Sequence, residues 1–567
     1  AVRVVLKRLT GHRDRVTKRC RSAELTLARG FAITNSYALH DHGLRQRMRQ
    51  LRSWQLKNGG TGMKAHSILR PLLIAASVFL TACASLQPIS LPEETTDSPA
   101  TTGVWLELDR IYADNWQVPL NEGGTALEWR LHAIDSARQS IDLQSFIWTW
   151  DKSGSLIHDR LIQAADRGVD VKILIDDSFL AGADEQILAL HEHQNIQYRV
   201  YNPYKRRSTS QFSRQVLNLS EFGRLDHRMH NKTMVVDNQV AIIGGRNLAD
   251  EYFGIDQEYN FRDMELLVGG PIVPQIATSF DSYWNDQWSF PIDAVSQLRT
   301  RRTARATVSQ QAEDLSSAFP VLDDAERDQL WRQTVRQSFR GTAKLYVDNP
   351  PSVSPDALED RPVQVADELV ELINNAREEV VIVSAYLIPT PTITAVLRDA
   401  AQRGVTVRIL TNSINSNNHV SAYAAYRNHV AELLSFGTQM HELRARGQGR
   451  SRYRLPPLSQ KTLGLHAKYM IVDGRRVFVG SSNFDPRSLR INTEIGLVIE
   501  SQALSERLLA LTEPDFATSS SWQLALTPEG QINWIGDNRV LLSEPESHGF
   551  QKIEEWFFAH LPIEAEL

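Results

Sequence analysis

From His466 to Asn483 the chain reads HAKYMIVDGRRVFVGSSN. His466 and Lys468 are two apart, so on a strand they point the same way. The apolar run after them ends at Asp473-Gly474, a strong hairpin-turn signal, and RVFVG supplies a returning partner strand. If Asp473-Gly474 form the loop, His466 lies opposite Ser481; if Gly474-Arg475 do, it lies opposite Asn483. Either register predicts one face holding an imidazole, an ammonium, a hydroxyl and an amide. Such a set can move a proton near neutral pH and hold an anion.

The same device occurs earlier. His230, Lys232 and Asp237 stand in HNKTMVVD, followed by VAIIGG and Asn247, with Gly245 where the later copy has Ser481. His230 and His466 are 236 apart, as are Asn247 and Asn483, and as are AADRGVDVKIL from Ala164 and AAQRGVTVRIL from Ala400. One offset at three separated places marks the duplication of a whole domain, too long a period for a solenoid. A single H-x-K-x4-D is a weak pattern. Two inside a repeat, each closing on G-x-x-N, are strong.

The elements that must position these residues alternate. Helical apolar spacing over Leu127–Arg138 and Leu156–Arg167 alternates with the strand patterns IDLQSFIW and VDVKILIDD. In the second half, Ala366–Arg377 and Ile393–Arg403 alternate with VVIVSAYLI and VTVRILTNS. Strands alternating with helices predict an α/β sheet covered on both faces.

The paired motifs resemble those of the phospholipase D superfamily, from about Trp105 onward. MHNKTMVVDNQVAIIGGRN, LHAKYMIVD and GSSNFDPRS are most similar to bacterial cardiolipin synthases of the C type. The resemblance implies two α/β/α sandwich lobes with mixed sheets, related by a pseudo-twofold axis, with the active site in the seam. Lobe 1 is expected over 105–290, a polar connector over 291–345 and lobe 2 over 346–567. Both motifs lie in one chain, so a monomer suffices; a helper protein is compatible.

Phosphodiester exchange needs a nucleophile, an acid for the leaving alcohol and fixed positive charge around the phosphoryl oxygens. Histidine can fill the first two roles, and a covalent phosphohistidine splits one hard displacement into two. In-line geometry puts attacker and acid on opposite sides of phosphorus, which two facing motifs provide. The resemblance implies His230 as nucleophile and His466 as acid and base. Lys232 and Lys468, with Asn247, Asn483 and Ser481, would stabilise the equatorial oxygens. It also implies a carboxylate behind each ring: Glu494 for His466, and Asp263 for His230, with Glu265 as rival to Asp263. Asp237 and Asp473 complete the motifs but end their strands, where turn and lobe packing is the expected role. Neither a metal nor another cofactor is required, and no carboxylate cluster suited to a metal stands out.

Basic runs precede each histidine: Lys205, Arg206, Arg207 and Arg214 in one copy, and Arg444, Arg446, Arg450, Arg452 and Arg454 in the other. Arg207 and Arg450 are candidates to hold anionic headgroups at the cleft mouth, against the alternative of ordinary surface loops. The RTRRTAR cluster (299–305) fits a solvated face. Tyr283-Trp284, Trp288 and Trp556-Phe557-Phe558 fit aromatic core better than a membrane interface.

Composition bounds the rest. The 567 residues, 42% hydrophobic, can bury more than one core. Two cysteines, Cys20 and Cys83, exclude a disulfide framework and a cysteine-ligated zinc site. Residues 1–62 carry a net +11, lack apolar periodicity and are expected to be an upstream extension foreign to the mature protein. Met63 opens an export-signal pattern (63–82): Lys64 and Arg70, the apolar run Leu72–Leu80, then Thr81-Ala82-Cys83. Leu80–Cys83 resembles a lipobox, making Cys83 the lipidated first residue, with a Pro/Ser/Thr-rich tether over 83–104. A periplasm-facing, lipid-anchored envelope protein is expected, with Ala84 favouring the outer membrane.

From Cys83 onward the chain is strongly acidic, net −18. That argues against nucleic acid as partner, since duplex binders need a cationic surface. Phospholipids are the expected substrates. Transfer to phosphatidylglycerol to give cardiolipin stands beside hydrolysis to phosphatidic acid, with a nuclease and a non-enzymatic lipid-binding lipoprotein behind.

Overall fold

The computed structural model describes residues 85–96, 99, 103–111, 114–298, 310–351, 364–456, 461–537 and 539–545. The upstream extension, the signal with Cys83, the 299–305 cluster and Trp556–Phe558 lie outside the described residues. By internal contacts the described residues form a small unit, 85–87 with Tyr204–Phe222, and a large unit holding the rest.

The large unit contains two large sheets and a two-stranded ribbon. The first is built from β1 (Trp116–Leu120), β2 (Ser140–Ser145), β3 (Asp170–Asp176), β4 (Ile196–Tyr201), β5 (Thr233–Val236) and β6 (Val240–Gly244). It is completed by β8 (Glu265–Gly269), β9 (Ser289–Pro291) and β10 (Phe339–Arg340), while β7 (Tyr259–Arg262) stands outside it. The second comprises β11 (Thr342–Val347), β12 (Glu379–Ser384), β13 (Thr406–Asn412), β14 (Gln439–Leu443), β16 (Lys468–Val472), β17 (Arg476–Gly480) and β18 (Ile495–Glu500). Strands β19 (Ser521–Leu526), β20 (Ile532–Gly536) and β21 (Arg539–Leu541) extend its edge, and β15 (Thr462–Leu465) pairs with β7 instead.

The orders β1-β8-β6-β5-β2-β3-β4-β9 and β11-β18-β17-β16-β12-β13-β14-β19 match place for place. In each, three strands run parallel (β2-β3-β4 and β12-β13-β14) and the others join antiparallel. The expected duplication is therefore present as two mixed sheets with pseudo-twofold correspondence.

Alternation along the strands decides what each face packs against. Ile141, Leu143, Ile173 and Val236 face the helices Gly123–Ser136 and Lys152–Asp166 in one core, and Val380, Ile382 and Ile409 face Gln364–Asn374 and Pro391–Gln402 in another. A third core joins the opposite faces: Val235, Ile243 and Leu266 of the first sheet meet Val383, Tyr469, Val479 and Leu497 of the second. The lobes share this core, with Val273–Trp284 and Gln502–Phe516 flanking it. The segment read as a polar connector also packs inward. Its capped helix Asp324–Gln337 buries Trp331 against Trp105 and Trp129, at 5.1 and 5.0 Å between ring centroids.

The hairpins depart from both predicted registers. Val472 pairs with Arg476, and Val236 with Val240, so each loop holds three residues. Asp473 and Gly474, like Asp237 and Asn238, are left-handed, and the third residue adds one position to the return strand. That extra position reverses parity. Regular continuation would carry Ser481 and Asn483 to the face opposite His466. Any approach of these residues to the histidines has to come from the turns beyond β17, not from the ladder.

Candidate active site

His230 and His466 stand just before β5 and β16. The backbone N–H of His230 donates to the Thr493 carbonyl (3.0 Å), and that of His466 to the Arg262 carbonyl (2.8 Å). Met229 bridges Thr493, and Leu465 pairs with Arg262 in the β7–β15 ribbon. In both places the residue before a histidine is hydrogen-bonded beside the residue before a carboxylate of the other lobe.

The carboxylates follow. Glu494 lies against Nδ1 of His230 at 2.9 Å, and Asp263 against Nδ1 of His466 at 2.7 Å. This corrects the pairing expected from the sequence, which put Asp263 with His230 and Glu494 with His466. Chain proximity suggested partners within a lobe, whereas the backbone pairing across the seam swaps them. Glu265, the rival, is taken by Arg130 and by Arg246 at 3.3 Å.

All four groups are buried, as are the lysines. Lys232 Nζ donates to the His230 carbonyl at 2.6 Å, and Lys468 Nζ to the His466 carbonyl. Burial pulls Lys232 down to about 7 and Lys468 down to about 8, and in each case both Glu494 and Asp263 act in the opposite direction. Each lysine thus feels the carboxylates of both lobes, so the two motifs form one electrostatic site.

Burial likewise lowers His230 to about 4 and His466 to about 3, against the opposing pull of their carboxylates. Burial would raise Glu494, but His230 and the site's other donors outweigh it and hold the carboxylate below its ordinary value. Both imidazoles are therefore neutral near pH 7. The proton sits on Nδ1, facing the carboxylate, which leaves the Nε2 lone pair for substrate.

Phe146 packs edge-on to His230, and Tyr252 and Phe261 pack on His466, each with ring centroids 5.0 Å apart. Tyr252 and Phe261 belong to the span that makes Asn247-to-Asp263 five residues longer than Asn483-to-Glu494.

The asparagines differ. Asn247 accepts from the Ile147 N–H (3.2 Å) and donates to the Tyr252 hydroxyl (2.9 Å), whereas Oδ1 of Asn483 is buried with no hydrogen-bond partner among the described residues. Ser481 donates to Glu494 and so supports the His230 pair. Gly245 abuts Asp263: a Cβ there would fall 2.3 Å from its Oδ1. A long carboxylate beside serine in one lobe thus matches a short one beside glycine in the other.

Asp237 and Asp473 are not in this pocket. Asp237 accepts from the backbone N–H groups of Arg138, Gln139 and Ser140 and from the Trp105 indole. Asp473 accepts from those of Arg377, Glu378 and Glu379. At the far ends of their strands, about 15 Å of chain from the lysines, they satisfy the backbone between helix and strand and touch no reacting group. Although the motif includes them, they pack the fold and are not catalytic.

Of the basic loops, Arg444 is paired with Asp537 and stacked on Trp522, and Arg452 is paired with Asp515, so both brace the fold. Arg450 lies half-buried on the turn Gln448–Tyr453, and Arg207 belongs to the small unit.

Sequence reasoning missed the braces behind the histidines. Asp176 accepts from the Met229 N–H at 3.1 Å, and Asn412 binds both the N–H and the carbonyl of Leu465 at 2.8 Å. They too are 236 apart, ending β3 and β13, and that offset is the signal that could have found them.

Two duplicated lobes with a shared pair of histidine–carboxylate–lysine sets define a phospholipase D-like enzyme. A family model described as "Cardiolipin synthase, PLD-like domain" matches residues 131–284 and again 369–514, and the chain belongs to that family. It is 31% identical over 467 residues to cardiolipin synthase C of Escherichia coli, covering 79% of this chain and 95% of that protein. It is 24% identical over 407 residues to the major cardiolipin synthase ClsA of Bacillus subtilis, covering 72% and 70%. Among solved structures, phosphatidylserine synthase of Haemophilus influenzae superposes with a TM-score of 0.53 at 13% identity, over 82% of this chain and all of that one, a likeness of fold.

Proposed function

We propose that this phosphatidyltransferase makes cardiolipin from phosphatidylglycerol and a second phospholipid through a phosphohistidine. The observation that carries the reading is the crossed arrangement His230–Glu494 and His466–Asp263, with Lys232 and Lys468 each coupled to both carboxylates.

Neutral His230 attacks phosphorus through Nε2, a P–N bond forms, and the P–O bond to the departing alcohol breaks. His466 supplies the proton that alcohol needs. Burial disfavours the protonated form of His466, and an entering phosphodiester anion raises it, together with both lysines, by direct charge. Positive charge growing on His230 is met by Glu494. The lysines and the Nδ2–H donors of Asn483 serve the equatorial oxygens.

In the second half His466 takes the proton of the glycerol hydroxyl, oxygen attacks phosphorus, and His230 departs neutral. His230 is the attacker by resemblance of its motif. The enzyme works at the periplasmic side of the envelope, anchored through lipidated Cys83.

The test incubates purified wild type and His466→Ala with mixed phosphatidylglycerol and phosphatidylethanolamine, followed by lipid mass spectrometry. Cardiolipin from wild type alone is expected. Phosphatidic acid without cardiolipin would make the enzyme a hydrolase. A trapped phosphopeptide containing His466 would reverse the two histidine roles.

A further inference from the structure

In the small unit, the helix Gln211–Leu217 is inside out. Its polar Arg214 and the following Asn218 are buried, at 1% and 3% exposure, while apolar Phe212, Val216 and Leu217 are 50%, 47% and 39% exposed. Arg214 stacks on Tyr204 and donates to the Ser208 carbonyl. Asn218 exchanges hydrogen bonds with the Arg206 backbone and donates to the Arg214 carbonyl. Phe212 and Val216, four apart, lie one above the other on the outer face. Soluble proteins expose single apolar residues freely, but an apolar cluster held out over a buried polar face marks a contact surface.

Two features of the same unit indicate what covers it. Besides the buried Arg214, residues 204–222 hold Lys205, Arg206 and Arg207 against Glu221, a cationic segment in a chain that is net acidic from Cys83 onward. The described chain also begins here: Lys205 donates to the Ser85 carbonyl, and the Leu86 N–H donates to Glu221. Cys83 lies outside the described residues, yet two peptide links confine its Cα to within about 7 Å of that of Ser85. Resting on the reading of Cys83 as the lipidated residue, acyl chains would enter the bilayer beside this cationic, apolar segment.

We propose that Tyr204–Phe222 is a second membrane contact, in which Phe212, Val216 and Leu217 insert among the lipids and Lys205, Arg206 and Arg207 meet anionic headgroups. A polybasic, apolar surface segment adds its own attraction to an anionic bilayer beside whatever an acyl anchor supplies.

The test uses the full chain carrying Cys83→Ser, which removes the acyl anchor, with and without Phe212→Ser/Val216→Ser. Flotation is measured with vesicles of equal phosphatidylglycerol and phosphatidylcholine, and with phosphatidylcholine alone. Binding to the anionic vesicles is expected to weaken at least tenfold in the double variant and to fall with salt. A Phe212→Trp version adds a local reading, with a blue shift and quenching by brominated lipid expected. Absence of vesicle binding overturns the proposal, as does binding that the double variant leaves unchanged or an indole that stays in water. Fatty-acid labelling of the unmodified chain reports on Cys83 separately. A labelled chain whose indole does not insert refutes the docking segment alone, and an unlabelled chain whose indole inserts refutes the anchor alone.

Discussion

Glu494→Gln tests the crossed pairing most directly, because glutamine keeps the shape and a hydrogen-bonding oxygen but loses the charge. Glu494 lies 2.9 Å from Nδ1 of His230, with charge centres roughly 4 Å apart. At an effective dielectric near 20, a full positive charge on the ring would be stabilised by about 4 kcal/mol. The transition state develops part of that charge. A loss of about 3 kcal/mol, between 10²- and 10³-fold in rate, is therefore expected in forming the covalent enzyme. Rapid-quench detection of phosphorylated protein measures this step apart from its breakdown. Nitrogen-15 NMR of the imidazoles supplies the decisive contrast, with ring signals assigned through His230→Gln and His466→Gln. A weakened Nδ1–H bond at His230, read as a shifted ring signal, with His466 unmoved, is the expected result. If the substitution perturbs His466 and spares His230, the pairing across the lobes is wrong.

Other expectations follow from the same geometry. Gly245→Ser should push Asp263 off His466 and lower turnover at least a hundredfold, because its Cβ would sit 2.3 Å from Asp263 Oδ1; a fully active variant, measured by lipid product formation, would contradict this contact. Asp237→Ala strips an acceptor from three backbone N–H groups and an indole, and should cost about 3 kcal/mol in denaturant unfolding while leaving turnover per folded molecule within a few-fold. His466 and His230 titrate at about 3 and about 4 in the fold against 6.5 when unfolded, so the unfolded chain binds more protons between these values. Their contribution is complete above pH 6.5 and declines as pH falls toward 4. The stability difference between wild type and His466→Gln should narrow across that window, and a pH-independent difference would count against a neutral buried ring.

The sequence by itself determined the duplication, the alternating elements and the identity of the reactive side chains. Equal spacing at His230/His466 and at Asn247/Asn483 is a property of the chain, as is the apolar alternation that makes β5 and β16 strands. It also held Asp176 and Asn412 at the same offset, a signal visible only once the ends of β3 and β13 are seen to brace the histidines. Tertiary structure alone decided which carboxylate serves which ring. That choice rests on hydrogen bonds from His230 to Thr493 and from His466 to Arg262, between residues more than 200 apart in sequence, about which local spacing carries no information. Hairpin parity was decided the same way: two consecutive left-handed residues at Asp473-Gly474 left Arg475 as an extra position, so the route of Ser481 to Glu494 came from the turn and not from the ladder. Residue chemistry is local and can be read in order along the chain, while the pairing of two domains is settled by shape and backbone hydrogen bonding across their seam.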